Sequence, residues 1–182
     1  MGHGAVFFDR DGIANRSPGP GYVTSVAQFH VRPEFVEAVR AATAKGWPCV
    51  IVSNQKGVGT GATPVAELEA MHAKLRQALA EEGLELLDIL ACTATDDADP
   101  DRKPNPGLLL RAAERHGLDL ATSWMIGDRE RDVRTGLNAK VAVTVRIDDD
   151  GTDSPPEAGT PTQATFLLQR MAQLPALLAE RL

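Results

Sequence analysis

Cysteine is scarce in this 182-residue sequence, where it occurs only at Cys49 and Cys92, each inside an apolar run. The pair forms neither a CxxC motif nor a disulfide ladder, which favours a reducing cytoplasm. No apolar run approaches the roughly 18 residues that a membrane span needs. The N-terminus lacks the ordered regions of a signal peptide. We therefore expect a soluble, cytoplasmic protein without a membrane anchor.

Positive charge and aromatic side chains are also in short supply. The chain has 19 Lys and Arg against 25 Asp and Glu, a net charge of -6, and only 4% aromatic residues. Proteins that bind nucleic acid need basic surfaces for the phosphates and aromatic rings for exposed bases. Nucleic acid is thus a disfavoured partner. The length suits one hydrophobic core, so we expect a single domain over residues 1–182, with a monomer favoured.

Short apolar runs rich in β-branched residues alternate with helical patterns along the chain. The runs cover residues 5–8, 49–52, 86–92, 124–126 and 141–145. The helical patterns cover about 33–45, 63–83, 105–117 and 130–138. This alternation predicts βαβ crossovers and hence a doubly wound parallel sheet, the Rossmann-like α/β fold class.

Local signals place several helix ends. Gly46, Gly83 and Gly117 follow the first three helical patterns as terminators. Thr63 and Pro64 are expected as N-cap and first helical residue of the second helix, and Asn105 and Pro106 open the third.

The C-terminal part of the chain divides into two predicted segments. Residues 148–162 are dense in turn formers and lack large apolar side chains, which predicts a surface loop. Residues 163–182 carry Phe166, Leu167, Met171 and Leu174, which predict a docking helix that Pro175 interrupts or ends.

Polar side chains follow four of the predicted strands. Because ligands of open parallel sheets bind at the carboxyl ends of the strands, these residues are candidates for one site. They are Asp9 and Asp11, Ser53 and Asn54, Arg102 and Lys103, and Asp128 with Asp132.

Each group also has a local structural explanation. "DRDG" can be an acidic turn, "SNQ" an Asx turn, Lys103 a solvated charge, and Asp128 a helix cap. An EF-hand is excluded because Ile13 and Ala14 break its ligand pattern. Four such coincidences on one sheet edge are improbable together, which favours a functional site.

The charges of these residues indicate a cation and a phosphate. Asp9, Asp11, Asp128 and Asp132 would bring four negative charges together against the single positive charge of Lys103. Mg²⁺, with its preference for oxygen ligands and phosphate, would offset the excess. A phosphate could then bind the metal, Lys103 and Ser53. One aspartate could attack phosphorus while another protonates the leaving oxygen and later activates water.

The ordered motifs "FFDRDG", "VSNQKGVG", "RKPNPG" and "MIGDRERD" resemble those of the haloacid dehalogenase superfamily of phosphatases. Within it the chain is similar to the histidinol-phosphate and heptose-bisphosphate phosphatase group. The resemblance implies that Asp9 is the nucleophile and Asp11 the general acid and base. It implies Mg²⁺ bound by Asp9, the main-chain carbonyl of Asp11, and Asp128.

The resemblance also implies supporting roles. Ser53 and Asn54 belong to the phosphate-binding motif, Lys103 steadies nucleophile and phosphate, and Arg102 contacts substrate. Asp132 is the outer acid of the last motif.

The chain departs from this group in two places. Its loop before "RKP" keeps only Cys92 of the usual zinc ligands, so we predict no zinc. An arginine usual near Thr60 is missing, and Arg16, Arg129 or Arg131 could replace it.

The motif spacing leaves no room for a cap domain. We therefore expect a capless fold in which loops 19–23 and 93–101 select the substrate or serve only as connectors.

The sequence therefore predicts a Mg²⁺-dependent phosphomonoester hydrolase that acts on a small phosphorylated metabolite through an aspartyl-phosphate intermediate. By resemblance, heptose bisphosphate ranks first and histidinol phosphate second, with a nucleic-acid 3′-phosphatase as a further alternative. A phospho-accepting signalling domain is the rival from another class. Asp11 argues against it, because a general acid beside the nucleophile serves turnover.

Overall fold

The sheet of the computed structural model, which describes residues 2–17, 21–149 and 162–182, has six parallel strands. They are β1 (Val6–Phe8), β2 (Cys49–Asn54), β3 (Asp88–Cys92), β4 (Trp124–Gly127), β5 (Val143–Ile147) and β6 (Phe166–Leu168). Their spatial order is β3-β2-β1-β4-β5-β6. This is the doubly wound order of Rossmann-type sheets, which confirms the predicted fold class.

Six α-helices accompany this sheet in the described part of the chain. They are α1 (Pro33–Ala44), α2 (Lys56–Gly59), α3 (Val65–Ala80), α4 (Gly107–His116), α5 (Glu130–Asn138) and α6 (Leu174–Arg181). Neighbouring residues of β1 point to opposite faces. Phe8 packs in a core cluster with α1, α3 and α6, whereas Phe7 packs in a second cluster with α4. Both faces of the sheet are therefore covered.

The predicted helix ends differ from the structure by a few residues at the N-termini. Pro64 is the N-cap of α3 and Pro106 that of α4, so each helix begins later than Thr63 and Asn105 suggested. The amide of Asn105 instead donates to the carbonyls of Asp97 and Asp99, because the preceding loop folds back over it. The short helix α2 was not predicted.

The C-terminal segment contains a strand that the sequence analysis missed. Phe166–Leu168 pairs with β5 in parallel, and Pro175 lies in the first turn of α6. A helix of this segment does pack on the core, but the prediction that it includes Phe166 and that Pro175 interrupts or ends it was wrong. A proline in the first turn removes no intrahelical hydrogen bond, so it starts this helix. Most of the predicted loop 148–162 lies outside the described residues, as do residues 19 and 20.

Within the described ranges, no helix combines the length and apolar content that crossing a membrane requires.

The packing of α6 can be tested by comparing Leu178→Ala with Pro175→Ala. Leu178 is fully buried, so its truncation should lower the free energy of unfolding by about 2–5 kcal/mol. Pro175→Ala should cost less than about 1 kcal/mol, because the helix tolerates either residue there. Urea unfolding of both variants measures the difference. Equal losses would contradict the assigned start of α6.

Candidate active site

The candidate site lies where β1 and β4 run side by side, the point at which the strand order reverses. Phe8 pairs with Ile126, so the two strands end at the same level. Asp9 directly follows β1, and Asp128 directly follows β4. Ligands of doubly wound sheets bind at this switch point. The fold itself thus brings the first two carboxylates together.

A buried lysine joins two carboxylates of the site. The Nζ atom of Lys103 lies 2.8 Å from Oδ1 of Asp9 and 2.6 Å from Oδ1 of Asp132. It also donates to the carbonyl of Val52 at 3.1 Å. Burial lowers the pKa of Lys103, but the carboxylates of Asp132 and Asp9 outweigh it and hold that pKa above its ordinary value. The ammonium is therefore charged at neutral pH.

Asn54 positions Lys103 through the main chain. Its Oδ1 accepts from the Lys103 N–H at 2.9 Å, and its Nδ2 donates to the Lys103 carbonyl at 3.0 Å. These bonds connect the end of β2 to the loop before α4. The structure thus places Asn54 behind Lys103, with both polar atoms of its amide engaged.

Three carboxylates form a cluster that fits a divalent cation. One oxygen each of Asp9, Asp128 and Asp132 lies within 4.8 Å of the others. The Oδ1 atom of Asp128 is buried and has no hydrogen-bond partner within the described chain. Both oxygens of Asp132, in contrast, accept hydrogen bonds, from Lys103 and from the Arg129 N–H. Mg²⁺ prefers oxygen ligands, so an acidic cluster that contains an oxygen without a hydrogen bond suits this cation.

Burial and neighbouring negative charges raise the pKa values of Asp9 and Asp128. Burial raises the pKa of Asp9 to about 6, although Lys103 lowers it. Burial, together with the carboxylates of Asp9 and Asp132, raises the pKa of Asp128 well above its ordinary value. A bound cation would reverse both shifts, because it stabilises the ionised forms.

Two glycines allow the carboxylates to approach the loops so closely. Gly12 has φ +92°, and a Cβ there would lie 2.2 Å from Oδ2 of Asp128. A Cβ on Gly127 would lie 2.2 Å from the Cβ of Asp132. No other residue fits either position without displacing an acid of the cluster.

Asp11 lies outside this three-carboxylate cluster. Its carboxylate accepts hydrogen bonds from Arg10, from Asn15 at 3.0 Å and from Gln55 at 3.0 Å. Burial raises the pKa of Asp11, but Arg10 and these hydrogen bonds together hold it below its ordinary value. The expectation that Lys103 is the single positive charge beside the four acids is therefore corrected. The positive partner of Asp11 is Arg10, whose side chain folds back onto the next residue.

Ser53 is fully buried at the end of β2. Its hydroxyl accepts a hydrogen bond from Nε2 of Gln55 at 3.2 Å, and the same nitrogen donates to Asp11. The candidate phosphate-binding hydroxyl and Asp11 are therefore linked through one amide.

Arg102 is engaged by the loop of residues 93–101. Its Nε donates to Oδ1 of Asp97 at 2.7 Å and its Nη1 to the carbonyl of Ala94 at 3.2 Å. The Cys92 thiol lies 3.8 Å from Oδ1 of Asp99. In the described ranges, the Asp9 cluster is the only group of three or more potential metal ligands. Contacts with the flanking residues Cys92 and Arg102 thus hold the loop of residues 93–101.

Two of the three arginines considered for the missing anion contact flank the acidic cluster. The Nε atom of Arg129 lies 3.6 Å from Oδ2 of Asp128. Arg131 is exposed in the first turn of α5. Partial desolvation lowers the pKa of Arg131, but Asp132, Asp9 and Asp128 raise it above its ordinary value. Its guanidinium therefore lies in the field of the site.

Sequence reasoning missed Arg10, Asn15 and Gln55. The only signal was in motifs already singled out: an arginine directly after a buried strand in "DRDG" and a glutamine after "SN". Local sequence does not reveal that the three side chains converge on one carboxylate.

The chain is similar to a family of known proteins. The model of the haloacid dehalogenase-like hydrolase family matches residues 20–140. The D-glycero-beta-D-manno-heptose-1,7-bisphosphate 7-phosphatase of Pseudomonas aeruginosa is 35% identical over 134 residues, 73% of this chain and 75% of that protein. The enzyme of the same name from Pasteurella multocida is 32% identical over 181 residues, 96% of each chain.

A solved structure is also similar. The D,D-heptose 1,7-bisphosphate phosphatase from B. bronchiseptica, complexed with magnesium and phosphate, has a TM-score of 0.85 and 28% sequence identity. The similarity covers 98% of this chain and 99% of that chain.

The close approach at Gly12 predicts the effect of Gly12→Ala. Both Gly12 and Gly83 have positive φ, but Cβ at Gly83 would meet nothing within 4 Å. Alanine at either position should cost about 1 kcal/mol of stability from backbone strain. Only Gly12→Ala should also displace Asp128 and abolish stabilisation by Mg²⁺. Thermal unfolding with and without Mg²⁺ compares the two variants, and an equal Mg²⁺ response in both would contradict the assignment.

The raised pKa values predict a pH-dependent response to Mg²⁺. As pH falls through about 6, Asp9 takes up a proton that competes with the cation, so stabilisation by Mg²⁺ should shrink. At pH 7.5 it should reach about 2.7 kcal/mol when Mg²⁺ exceeds its dissociation constant about a hundredfold. Thermal unfolding at pH 5 and 7.5, with Mg²⁺ or a chelator, measures the difference.

The metal-free protein provides the control for this experiment. Asp9 binds its proton more tightly in the folded than in the unfolded protein, so its contribution to stability falls as pH rises between about 4 and 6. The raised pKa of Asp128 acts in the same direction. Burial lowers the pKa of His72 to about 4, which gives the opposite trend in that range. His72 contributes equally to stability with and without Mg²⁺, so its contribution cancels when the two stabilities are subtracted. Asp128→Asn should remove that difference, and its persistence would contradict the site.

Proposed function

The chain belongs to the haloacid dehalogenase-like hydrolase family and is a phosphatase, and we propose that it removes a phosphate from a heptose 1,7-bisphosphate. Similarity to curated heptose-bisphosphate phosphatases over most of the chain supports this substrate. The proposal treats residues 1–182 as one hydrolase domain whose partner is a small phosphorylated sugar.

The observation that carries the proposal is the arrangement of Asp9. Lys103 and the Arg10 N–H both bind its Oδ1, whereas Oδ2 accepts no hydrogen bond from the residues that the structure describes, so Oδ2 would attack phosphorus. Asp128, whose carboxylate belongs to the same cluster, has a buried Oδ1 without a hydrogen-bond partner among the described residues. A carboxylate oriented by a buried lysine beside a cation site suits nucleophilic attack on a phosphate.

We assign the remaining groups by their positions around Asp9. Mg²⁺ would be held by Asp9, the main-chain carbonyl of Asp11, and Asp128, and it would supply charge stabilisation for the phosphoryl oxygens. Lys103 and Ser53 would bind those oxygens. Asp132 would support Lys103.

Two further assignments concern the surroundings of the phosphate. Asn54 would affect phosphate binding indirectly, because its amide holds the main chain of Lys103. Arg102 would reach the substrate only after exchanging its contact with Asp97.

The reaction would proceed in two steps through an aspartyl phosphate on Asp9. In the first, Oδ2 of Asp9 bonds to phosphorus and the leaving oxygen takes a proton from Asp11. In the second, the water oxygen bonds to phosphorus and gives a proton to Asp11, while the bond from phosphorus to Oδ2 of Asp9 breaks and inorganic phosphate leaves. No zinc is assigned, because Cys92 alone cannot build a tetrahedral site.

Phosphate release from a substrate panel tests the proposal. Heptose 1,7-bisphosphate should be hydrolysed faster than histidinol phosphate and a 3′-phosphorylated oligonucleotide, and only with Mg²⁺. Asp9→Asn should lower kcat roughly a thousandfold or more, because it removes the nucleophile.

Asp88→Asn provides a matched control for Asp9→Asn. Asp88 is an ion-paired aspartate at the opposite end of β3, so its replacement should leave the relative rates unchanged. Preference for another substrate would overturn the proposed substrate. Undiminished turnover by Asp9→Asn would overturn the proposed mechanism.

A further inference from the structure

Arg10 contacts both aspartates of the loop after β1. Its main-chain N–H donates to Oδ1 of Asp9 at 2.7 Å. Its guanidinium donates to Asp11, from Nε to Oδ1 at 3.2 Å and from Nη2 to Oδ1 and Oδ2 at 3.0 and 3.1 Å. Arg10 is fully buried, whereas the side chain of Asp11 is 27% exposed. One inaccessible residue thus orients two carboxylates while Asp11 stays open to solvent.

The surroundings of Arg10 leave it little freedom. Its guanidinium carbon lies 5.4 Å from the ring centroid of Phe29, a cation–π contact. Its carbonyl accepts the N–H groups of Ala14 at 2.8 Å and Asn15 at 3.1 Å, which close the turn. The orientation of Asp11 is therefore determined by a side chain that is itself held on several sides.

The hydrogen bonds to Asp11 all come from donors. Arg10 and Asn15 donate to Oδ1, while Arg10 and Gln55 donate to Oδ2. Donors therefore engage both oxygens of Asp11 and fix the orientation of its carboxyl group, which both of its proton transfers require.

Charge balance alone does not account for an arginine at this position. Burying a guanidinium carries a desolvation penalty, and a lysine would neutralise Asp11 equally well. The planar guanidinium of Arg10 also orients the Asp11 carboxylate, because it binds both carboxylate oxygens at once.

We infer that Arg10 is a positioning residue that orients Asp11 to take a proton from the water that hydrolyses the aspartyl phosphate. The inference rests on the proposed function. In this step the water oxygen bonds to phosphorus, and the bond from phosphorus to Asp9 breaks. The electron pair returns to the Asp9 carboxylate, and the water proton passes to Asp11.

The test is pre-steady-state and steady-state hydrolysis of p-nitrophenyl phosphate by Arg10→Lys. The leaving group of this probe departs without a proton, so the first step should survive and kcat/KM should fall by less than about tenfold. The second step should slow, and kcat should fall by about a hundredfold. The variant should then release a burst of nitrophenolate of about one equivalent per active site.

Arg146→Lys is the matched control. Arg146 is likewise buried and binds a nearby carboxylate, with its Nε and Nη2 on Asp148 at 2.7 and 3.0 Å. It belongs to the end of β5 rather than to the loop of Asp9 and Asp11. Its replacement should produce no burst and leave the ratio of kcat to kcat/KM unchanged.

A double-mutant cycle tests whether Arg10 acts through Asp11. In an Asp11→Asn background, Arg10→Lys should lower kcat no further, because its target is already absent. If Arg10→Lys does not fold, Gln55→Leu removes the donor to Oδ2 of Asp11 and should give the same burst.

The outcomes separate the two proposals. Parallel loss of kcat and kcat/KM without a burst, or additive losses in the cycle, would overturn the role of Arg10 and leave the phosphatase intact. Failure of the unmodified protein to hydrolyse either the probe or the heptose substrate would overturn the proposed function and this inference with it.

Discussion

The contact of the Lys103 ammonium with Asp9 and Asp132 is the interaction on which the site depends. All three groups are buried, and none of these charges would be stable there alone. The lysine comes from the loop before α4, Asp9 from the loop after β1 and Asp132 from the first turn of α5, so their pairing connects three separate parts of the chain. Asn54 completes the arrangement by holding the main chain of Lys103 from the end of β2. The helices and sheet serve to bring these loops to one edge.

The charges of the site are balanced in two separate places. Lys103 compensates Asp9 and Asp132, whereas Arg10 compensates Asp11 within its own loop. Asp128 is left with one buried oxygen that no described residue binds. Because Lys103 and Arg10 already offset part of the negative charge, the cluster needs one cation rather than several. This division also separates Asp11, whose hydrogen bonds are satisfied, from the acids that surround Asp9.

Much of the fold could be predicted from the sequence, because its strands are short and apolar and polar residues mark their ends. The motif residues Asp9, Ser53, Lys103 and Asp128 were correctly placed at one edge, because parallel strands all end there. The sixth strand, Phe166–Leu168, was not predicted. Its three residues carry no alternation, and it is stabilised by pairing with β5 rather than by its own pattern. The later starts of α3 and α4 have a similar cause, because surrounding contacts override local capping preferences.

The sequence by itself determined the doubly wound sheet, the hydrolase motifs and the need for a positive partner beside "DRDG". Only the tertiary structure decided which partner each acid has. Lys103 and Asp132 are 29 positions apart, and Gln55 and Asp11 are 44 apart, yet each pair is in hydrogen-bond contact. Even Arg10, adjacent to both aspartates, could have turned toward either one or toward solvent. Spacing along a chain specifies which loops meet, but side-chain direction depends on burial and charge in the folded protein.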